Sequence, residues 1–198
     1  MSILCFWADY GKLASAALQV CKEVAKKIQT DTISLTCVAS KIMERIIVQQ
    51  LTQYLLKLNI ISDAQHGFID KRSTCTNLLV CFNDWTLALQ DHCGVNVVYI
   101  DFAKAFDSIS HVKLIHRLKS YGISDLLLQW IQNFLTGRYH CTRVGNVLSD
   151  SVHLLSGVVQ GSGLGPLLFV LYINELAEIL RTYGVIVRLF ADDLKMYA

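Results

Sequence analysis

VRLFADDLKMYA, residues 187–198, places two adjacent aspartates between two runs of apolar, strand-forming residues. Aspartate is uncommon inside strands and common in turns, so the pattern predicts two strands joined by a turn at Asp192 and Asp193. A second apolar run, GVNVVYIDF at 94–102, also has the composition of a strand and carries Asp101 near its end. If these strands are neighbours in one sheet, the three carboxylates meet at one edge of it.

Carboxylates gathered in a partly buried site repel one another unless a divalent cation neutralises them. Oxygen ligands suit Mg²⁺, which keeps several waters and takes further ligands from substrate phosphates. Two such ions about 3.5–4 Å apart can bind the attacking and the leaving oxygen of a phosphoryl displacement. The spacing therefore leaves two hypotheses open, an ordinary hairpin turn or a site for nucleotidyl transfer.

Length and composition are typical of one globular domain, with 198 residues, 53% of them hydrophobic, and a net charge of +2. That charge permits a polyanionic partner without requiring one. No apolar run reaches the roughly 18 residues of a membrane span, and the first residues lack the pattern of a secretory signal. We therefore expect a membrane-free, intracellular protein of the nucleus or cytoplasm. The seven cysteines form no C-x-x-C pair, which argues against a zinc site, and their odd number and irregular spacing argue against a disulfide framework.

Helical and strand-like patterns alternate irregularly along the chain, which predicts an α/β (α+β) fold. Ser40 is the expected N-cap of the first well-defined helix. Pro166, the single proline, is expected in the first turn of a later helix. The expected elements are a weakly amphipathic helix within 1–29, helices at 40–58, 78–89, 110–122 and 124–137, a hairpin that turns about Gly145-Asn146 or nearer Ser149, a helix from Pro166, and strands at 94–102, 185–191 and 194–198.

Three longer stretches resemble motifs A, B and C of the reverse transcriptases of non-LTR, LINE-like (jockey-type) retrotransposons. They are YIDFAKAFDSISHVKLIHRLKSYGI at 99–123, GVVQGSGLGPLLFVLYINEL at 157–176 and RLFADDLKMY at 188–197, in the order of the family. ISLTCVASKIMERII and SDAQHGFIDKRST, upstream, resemble its fingers motifs.

The resemblance implies a partial reverse transcriptase domain over 33–198, with residues 1–32 unassigned. Fingers would occupy about 33–94, and a right-hand polymerase palm, an antiparallel sheet with flanking helices, would occupy about 95–198. Family polymerases continue beyond motif C into a thumb, so we expect the thumb to be absent and the chain to be a truncated copy.

The resemblance also assigns roles to the aspartates and to one aromatic residue. Asp101 and Asp192 match the catalytic metal ligands of motifs A and C, and Asp193 matches a supporting carboxylate. Phe106 matches the steric gate, an aromatic ring in the space that a ribose 2′-hydroxyl would need. Such a ring favours deoxynucleotides by excluding an atom.

Four further residues match positions that contact the incoming nucleotide in the family. Gln160 and Gly161 match the turn of motif B, where glycine lets the backbone approach the substrate closely. Arg72 and Lys71 match the fingers cations expected on the triphosphate, and a guanidinium suits phosphate oxygens.

The resemblance implies an RNA-directed DNA polymerase that adds deoxynucleotides to a primer 3′-hydroxyl. Its expected cofactor is Mg²⁺, as two ions, with Mn²⁺ as a substitute, and its expected partners are an RNA template, a DNA primer and dNTP. The alternative is an inactive or domesticated retroelement relic that at most binds nucleic acid or protein. An RNA-dependent RNA polymerase is disfavoured by Phe106, since that enzyme accepts the 2′-hydroxyl.

Overall fold

The structure, a computed structural model, describes residues 37–144 and 146–198. The helix predicted within 1–29 lies outside these described residues. Residues 136–154 belong to one compact unit, whereas residues 37–135 and 155–198 form another. Within the described residues no helix is long and apolar enough to cross a membrane.

Five α-helices lie in the described part of the chain, and most begin where the sequence predicts. Ser110 is the N-cap of the third helix and accepts a hydrogen bond from the Lys113 amide. Pro166 lies in the first turn of the fifth helix, where its missing N–H leaves no hydrogen bond unmade. The helices are α1 Val38–Lys57, α2 Thr74–Gln90, α3 His111–Ser120, α4 Asp125–Leu135 and α5 Gly165–Arg181.

The predicted N-cap of α1 is wrong. The N-cap is Cys37, three residues earlier, which has an extended backbone and whose Sγ accepts a hydrogen bond from the Ser40 amide. Ser40 therefore lies inside the first turn, and its hydroxyl donates to Glu44 Oε1 over 2.9 Å. Along the same helix Leu51 and Leu55 are buried, whereas Ile42 is 58% exposed.

Strand β1, Val97–Ile100, pairs with the final hairpin, β6 Ile186–Phe190 and β7 Asp193–Tyr197, in one antiparallel sheet of order β1-β7-β6. Ile100 pairs with Leu194, and Leu194 pairs in turn with Leu189. Paired residues share a face, so Leu189 and Leu194 lie together in a core that α5 covers. The strands are β1 Val97–Ile100, β2 Tyr139–His140, β3 Arg143–Val144, β4 Val147–Leu148, β5 Val152–His153, β6 Ile186–Phe190 and β7 Asp193–Tyr197.

Helix α2 is tied to strands β6 and β7 by an ionic cluster around Asp84. This carboxylate lies 2.9 Å from a guanidinium nitrogen of Arg188 and accepts the hydroxyl of Tyr197. Burial, together with the hydrogen bond to Asp84, raises the pKa of Tyr197. The phenol therefore stays protonated and continues to donate to the carboxylate.

The described residues of 136–154 include two short antiparallel strand pairs. Tyr139 pairs with His153 in the outer pair. Val144 pairs with Val147, and Asn146 between them lies in a turn. This register confirms the hairpin predicted about Gly145-Asn146.

Candidate active site

The aspartates of motifs A and C lie at adjacent strand ends, as the sequence predicts. Ile100, the last residue of β1, pairs with Leu194 of β7. Asp101 therefore follows β1 at the same edge of the sheet where Asp193 begins β7, and Asp192 lies in the turn between β6 and β7. The antiparallel register thus unites two segments that are far apart in the chain.

The carboxylates at this edge are accessible. Asp101 and Asp193 are exposed and Asp192 is half-buried. Among residues 37–144 and 146–198, no three His, Cys, Asp or Glu side chains are close enough to hold a metal ion by themselves. Carboxylate oxygens on a solvent-facing edge fit a hard divalent cation that keeps waters and takes further ligands from a substrate.

The turn of motif C is supported by the loop at 62–67. The Leu189 amide donates to the Ala64 carbonyl over 2.8 Å, and the His66 amide donates to the Leu189 carbonyl over 2.8 Å. Asn77 of α2 donates to the same Leu189 carbonyl and accepts from Lys195. The strand that leads into the aspartate turn is therefore bonded both to the loop and to α2.

Arg72 is bound to this loop. Its guanidinium donates to the Gln65 carbonyl over 2.6 Å and to the Asp63 carbonyl over 3.2 Å, and it forms an ion pair with the Asp63 carboxylate. Lys71 is exposed and has a positive φ of 63°. The structure thus gives Arg72 a set of protein acceptors, whereas the Lys71 side chain is open to solvent.

Phe106 is packed between two other aromatic rings. Its ring stacks on Phe169 of α5 with the centroids 4.3 Å apart and the planes inclined by 20°. The Phe68 ring meets it edge-on at 6.1 Å. Two ring contacts hold Phe106 in one orientation, which is what a steric barrier requires.

Motif B is bonded directly to motif A. The Val158 amide donates to the Phe106 carbonyl over 3.0 Å, and the Ser156 hydroxyl donates to the Asp107 carbonyl over 2.8 Å. In the turn that follows, Gln160 Oε1 is buried and has no hydrogen-bond partner among the described residues. A buried acceptor without a partner is uncommon in folded proteins and is consistent with a ligand that supplies the donor.

Gly161 and the residues after it lead into α5. Gly161 is exposed and has a φ of 89°, a conformation that favours glycine. Glu44 of α1, fully buried, accepts hydrogen bonds from the Gly163 amide over 2.7 Å and the Leu164 amide over 3.4 Å. A carboxylate at the start of α5 is also favoured by the dipole of that helix.

The sequence-predicted residues therefore form two groups, one made by motifs A, B and C and one made by Arg72 and the loop at 62–67. Motif A meets motif C through the β1–β7 register and meets motif B through the bonds of Phe106 and Asp107. Arg72 contacts the loop that supports motif C, where its guanidinium bonds to Asp63 and Gln65 rather than to the aspartates of motifs A and C. Sequence reasoning missed Glu44 and Gln65, because a buried polar side chain looks the same in a sequence as a solvated one.

This arrangement defines a class of protein, a right-hand polymerase whose palm is an antiparallel sheet with helices packed against it. The fold matches apo telomerase from Candida tropicalis truncated from its C-terminal domain, with a TM-score of 0.59 at 10% identity, over 80% of this chain and 34% of that one. The predicted fold class is confirmed.

The chain belongs to the reverse transcriptase (RNA-dependent DNA polymerase) family, whose model matches residues 22–198. It is 32% identical over 150 residues to the probable RNA-directed DNA polymerase from transposon BS of Drosophila melanogaster, over 73% of this chain and 16% of that protein. It is 27% identical over 159 residues to the RNA-directed DNA polymerase from mobile element jockey of Drosophila funebris, over 78% of this chain and 17% of that protein.

These relatives confirm the predicted resemblance to non-LTR retrotransposon enzymes. The chain spans about a sixth of the length of either relative. Membership of the family implies dependence on a divalent metal ion, without naming the ion.

Proposed function

We propose that this chain is the part of an RNA-directed DNA polymerase that carries out nucleotidyl transfer, with fingers up to about residue 94 and a palm from about 95. The observation that carries the proposal is the register of β1 and β7, which brings Asp101 beside the Asp192–Asp193 turn. In the proposed reaction a primer 3′-hydroxyl attacks the α-phosphate of a dNTP and pyrophosphate leaves.

Asp101 and Asp192 are the proposed ligands of two Mg²⁺ ions, with Mn²⁺ as a substitute and Asp193 as a supporting carboxylate. Their position at one solvent-accessible sheet edge, with Asp101 and Asp193 exposed and Asp192 half-buried, supports this assignment, since the ions need room for water and phosphate ligands. When bound, the ions would stabilise the negative charge that develops on the phosphoryl and leaving-group oxygens. The chain itself contributes the fixed position of the carboxylates.

The incoming nucleotide is proposed to lie against motifs A and B. The packed ring of Phe106 would exclude a 2′-hydroxyl, and the unpartnered Oε1 of Gln160 would accept a hydrogen bond from the substrate. Gly161 would let the backbone approach closely. Lys71 has an exposed side chain that can reach phosphate. Arg72 would bind phosphate through the guanidinium N–H groups that do not bond to the loop.

The proposed partners are an RNA template, a DNA primer and dNTP. The family and the telomerase-like fold support nucleic-acid template and primer binding in general. That the template is RNA is the more specific claim of the proposal. It rests on the motifs and on the names of the relatives.

Primer extension tests the proposal. Purified chain is given poly(rA) annealed to oligo(dT), labelled dTTP and Mg²⁺ or Mn²⁺, beside Asp192→Asn protein. We expect extension to fall at least about a hundredfold in the variant, because a preorganised charge at the reacting phosphate is lost. Asp91→Asn, at the exposed end of α2, makes the same change of charge and should leave extension intact.

Extension that survives in Asp192→Asn would contradict the proposed site. A folded wild-type sample that neither extends primers nor binds Mn²⁺ would contradict the proposed function and favour the relic. Circular dichroism of all three proteins establishes that they are folded before activities are compared.

A further inference from the structure

Gln65 is almost completely buried, with 1% of its surface exposed, although it belongs to a polar loop. Its side-chain oxygen accepts hydrogen bonds from the Ala191 amide over 3.0 Å and from the Gly67 amide over 2.7 Å. Its side-chain nitrogen donates to the Ala191 carbonyl over 3.2 Å. The amide therefore binds both main-chain groups of the residue immediately before Asp192.

Ala191 has the backbone conformation that most needs such support. Its φ is 55°, in the left-handed region, which is unfavourable for a residue with a Cβ. A residue keeps such a conformation only when its surroundings impose it. The two hydrogen bonds from Gln65 occupy both main-chain groups of Ala191, the residue that leads directly into Asp192.

The close approach of the loop also requires Gly67. A Cβ added to Gly67 would lie 2.2 Å from the Ala191 nitrogen, much closer than two such atoms can approach without overlap. On the other side, Arg72 donates to the main-chain carbonyl of Gln65 over 2.6 Å. Gln65 is thus held through its backbone by Arg72 and holds Ala191 through its side chain.

We propose that Gln65 is a positioning residue of the motif C site: its buried amide holds Ala191 in the left-handed conformation and thereby places the Asp192 carboxylate for metal binding. This role deepens the proposed function and rests on it. The loss of a residue that orients a metal ligand without binding the metal typically lowers metal affinity about 10–100-fold.

Asn174 of α5 offers a matched control, because it binds the start of the same loop. Its side chain is also a buried amide, which accepts from the Ser62 amide over 2.8 Å and donates to the Ile60 carbonyl over 2.7 Å. It therefore anchors the start of the loop without touching Ala191. Loss of either amide removes buried hydrogen bonds, but the loss at Gln65 alone releases the aspartate turn.

The first measurement is amide hydrogen exchange by NMR on the full chain. In wild-type protein the Ala191 amide should be protected like the Leu189 amide, which is bonded to the Ala64 carbonyl. In Gln65→Met, exchange at Ala191 should rise at least about tenfold relative to Leu189, because the change keeps the length and removes both bonds. Asn174→Leu should leave the ratio of the two rates unchanged.

The second measurement is Mn²⁺ affinity by electron paramagnetic resonance, where the binding counted is the part lost in Asp192→Asn. Gln65→Met should raise the dissociation constant about tenfold. Asn174→Leu should leave the dissociation constant unchanged, even if it lowers the free energy of unfolding as much as Gln65→Met does. An affinity equal to wild type in Gln65→Met, or an equal loss in Asn174→Leu, would overturn the positioning role.

Exchange in the wild-type protein keeps the proposal testable even if Gln65→Met does not fold. An unprotected Ala191 amide there would overturn it. Absence of any Asp192-dependent Mn²⁺ binding in wild-type protein would instead overturn the proposed function, and the Ala191 rates would still decide whether Gln65 holds the turn.

Discussion

Phe106 combines two tasks in one side chain. Its ring is part of the packing between motif A and α5, where it stacks on Phe169 at 4.3 Å. The same ring is the proposed barrier to a ribose 2′-hydroxyl. A barrier works only if it cannot turn aside, and the ring contacts supply that rigidity.

Phe106→Val tests this barrier. We expect the ratio of ribonucleotide to deoxynucleotide incorporation to rise about tenfold or more, because steric overlap of the kind removed costs about 1–3 kcal/mol. Single-nucleotide extension with dTTP and UTP measures the ratio. Phe82→Val, which shortens a 56%-exposed ring of α2, should leave it unchanged. An unaltered ratio in the Phe106 variant would remove the barrier from the proposal.

The connection between motif A and motif B depends on one glycine. Gly157 precedes Val158, donates its amide to the Ile109 carbonyl and has a φ of 89°. A Cβ at this position would lie 2.9 Å from both the Cα and the carbonyl oxygen of Asp107. The backbones approach so closely because no side chain intervenes, and the bond between Val158 and Phe106 depends on this approach.

Gly157→Ala and Gly184→Ala form a matched pair that isolates this approach. Gly184 also has a left-handed φ, 77°, but its added Cβ would meet no heavy atom within 4 Å among the described residues. Urea unfolding should show a loss of about 1–2 kcal/mol for Gly184→Ala, from backbone strain. Gly157→Ala should lose at least about 1 kcal/mol more, through overlap with Asp107. Equal losses would contradict the close approach.

At the scale of the whole molecule, His66 lies where the loop, α2 and the sheet meet. Its Nδ1 is 2.9 Å from the Thr76 hydroxyl of α2, and its main-chain amide bonds to β6. Burial lowers the pKa of His66 below its usual 6.5, and the charges of Arg72, Arg188 and Lys195 lower it further. The neutral imidazole is therefore the form that this junction stabilises.

The lowered pKa predicts a loss of stability in mild acid. Below pH 6.5 the unfolded chain takes up a proton at His66 more readily than the folded chain, so the free energy of unfolding falls as the pH falls. This contribution is complete above pH 6.5 and is lost towards the lower folded value. Urea unfolding between pH 7.5 and 5.5 measures it.

His66→Asn should flatten this pH dependence, because the amide keeps a polar group near Thr76 and does not titrate. His116→Asn, at an exposed position of α3, is the control and should keep the wild-type slope. A His66 variant with an unchanged slope would show that other groups cause the acid sensitivity.

Much of this protein follows from its sequence because the relevant signals are local. The amphipathic period of α3 and the hairpin signalled by Asp192 and Asp193 each depend on a few neighbouring positions, although Asp193 itself begins β7. Pro166 likewise predicts its helix start from the missing N–H alone. The ordered motifs then indicate the family, since several long matches in sequence define it without any contact being known.

Only the tertiary structure determines which polar side chains are buried and with which groups they form hydrogen bonds. Gln65 and Glu44 both support motifs far away in the chain, and the partner of a hydrogen bond depends on what folding brings near it. For the same reason Ile42 of α1 remains exposed despite its place in an apolar period. A period shows which residues share a face, and only packing shows whether that face is covered.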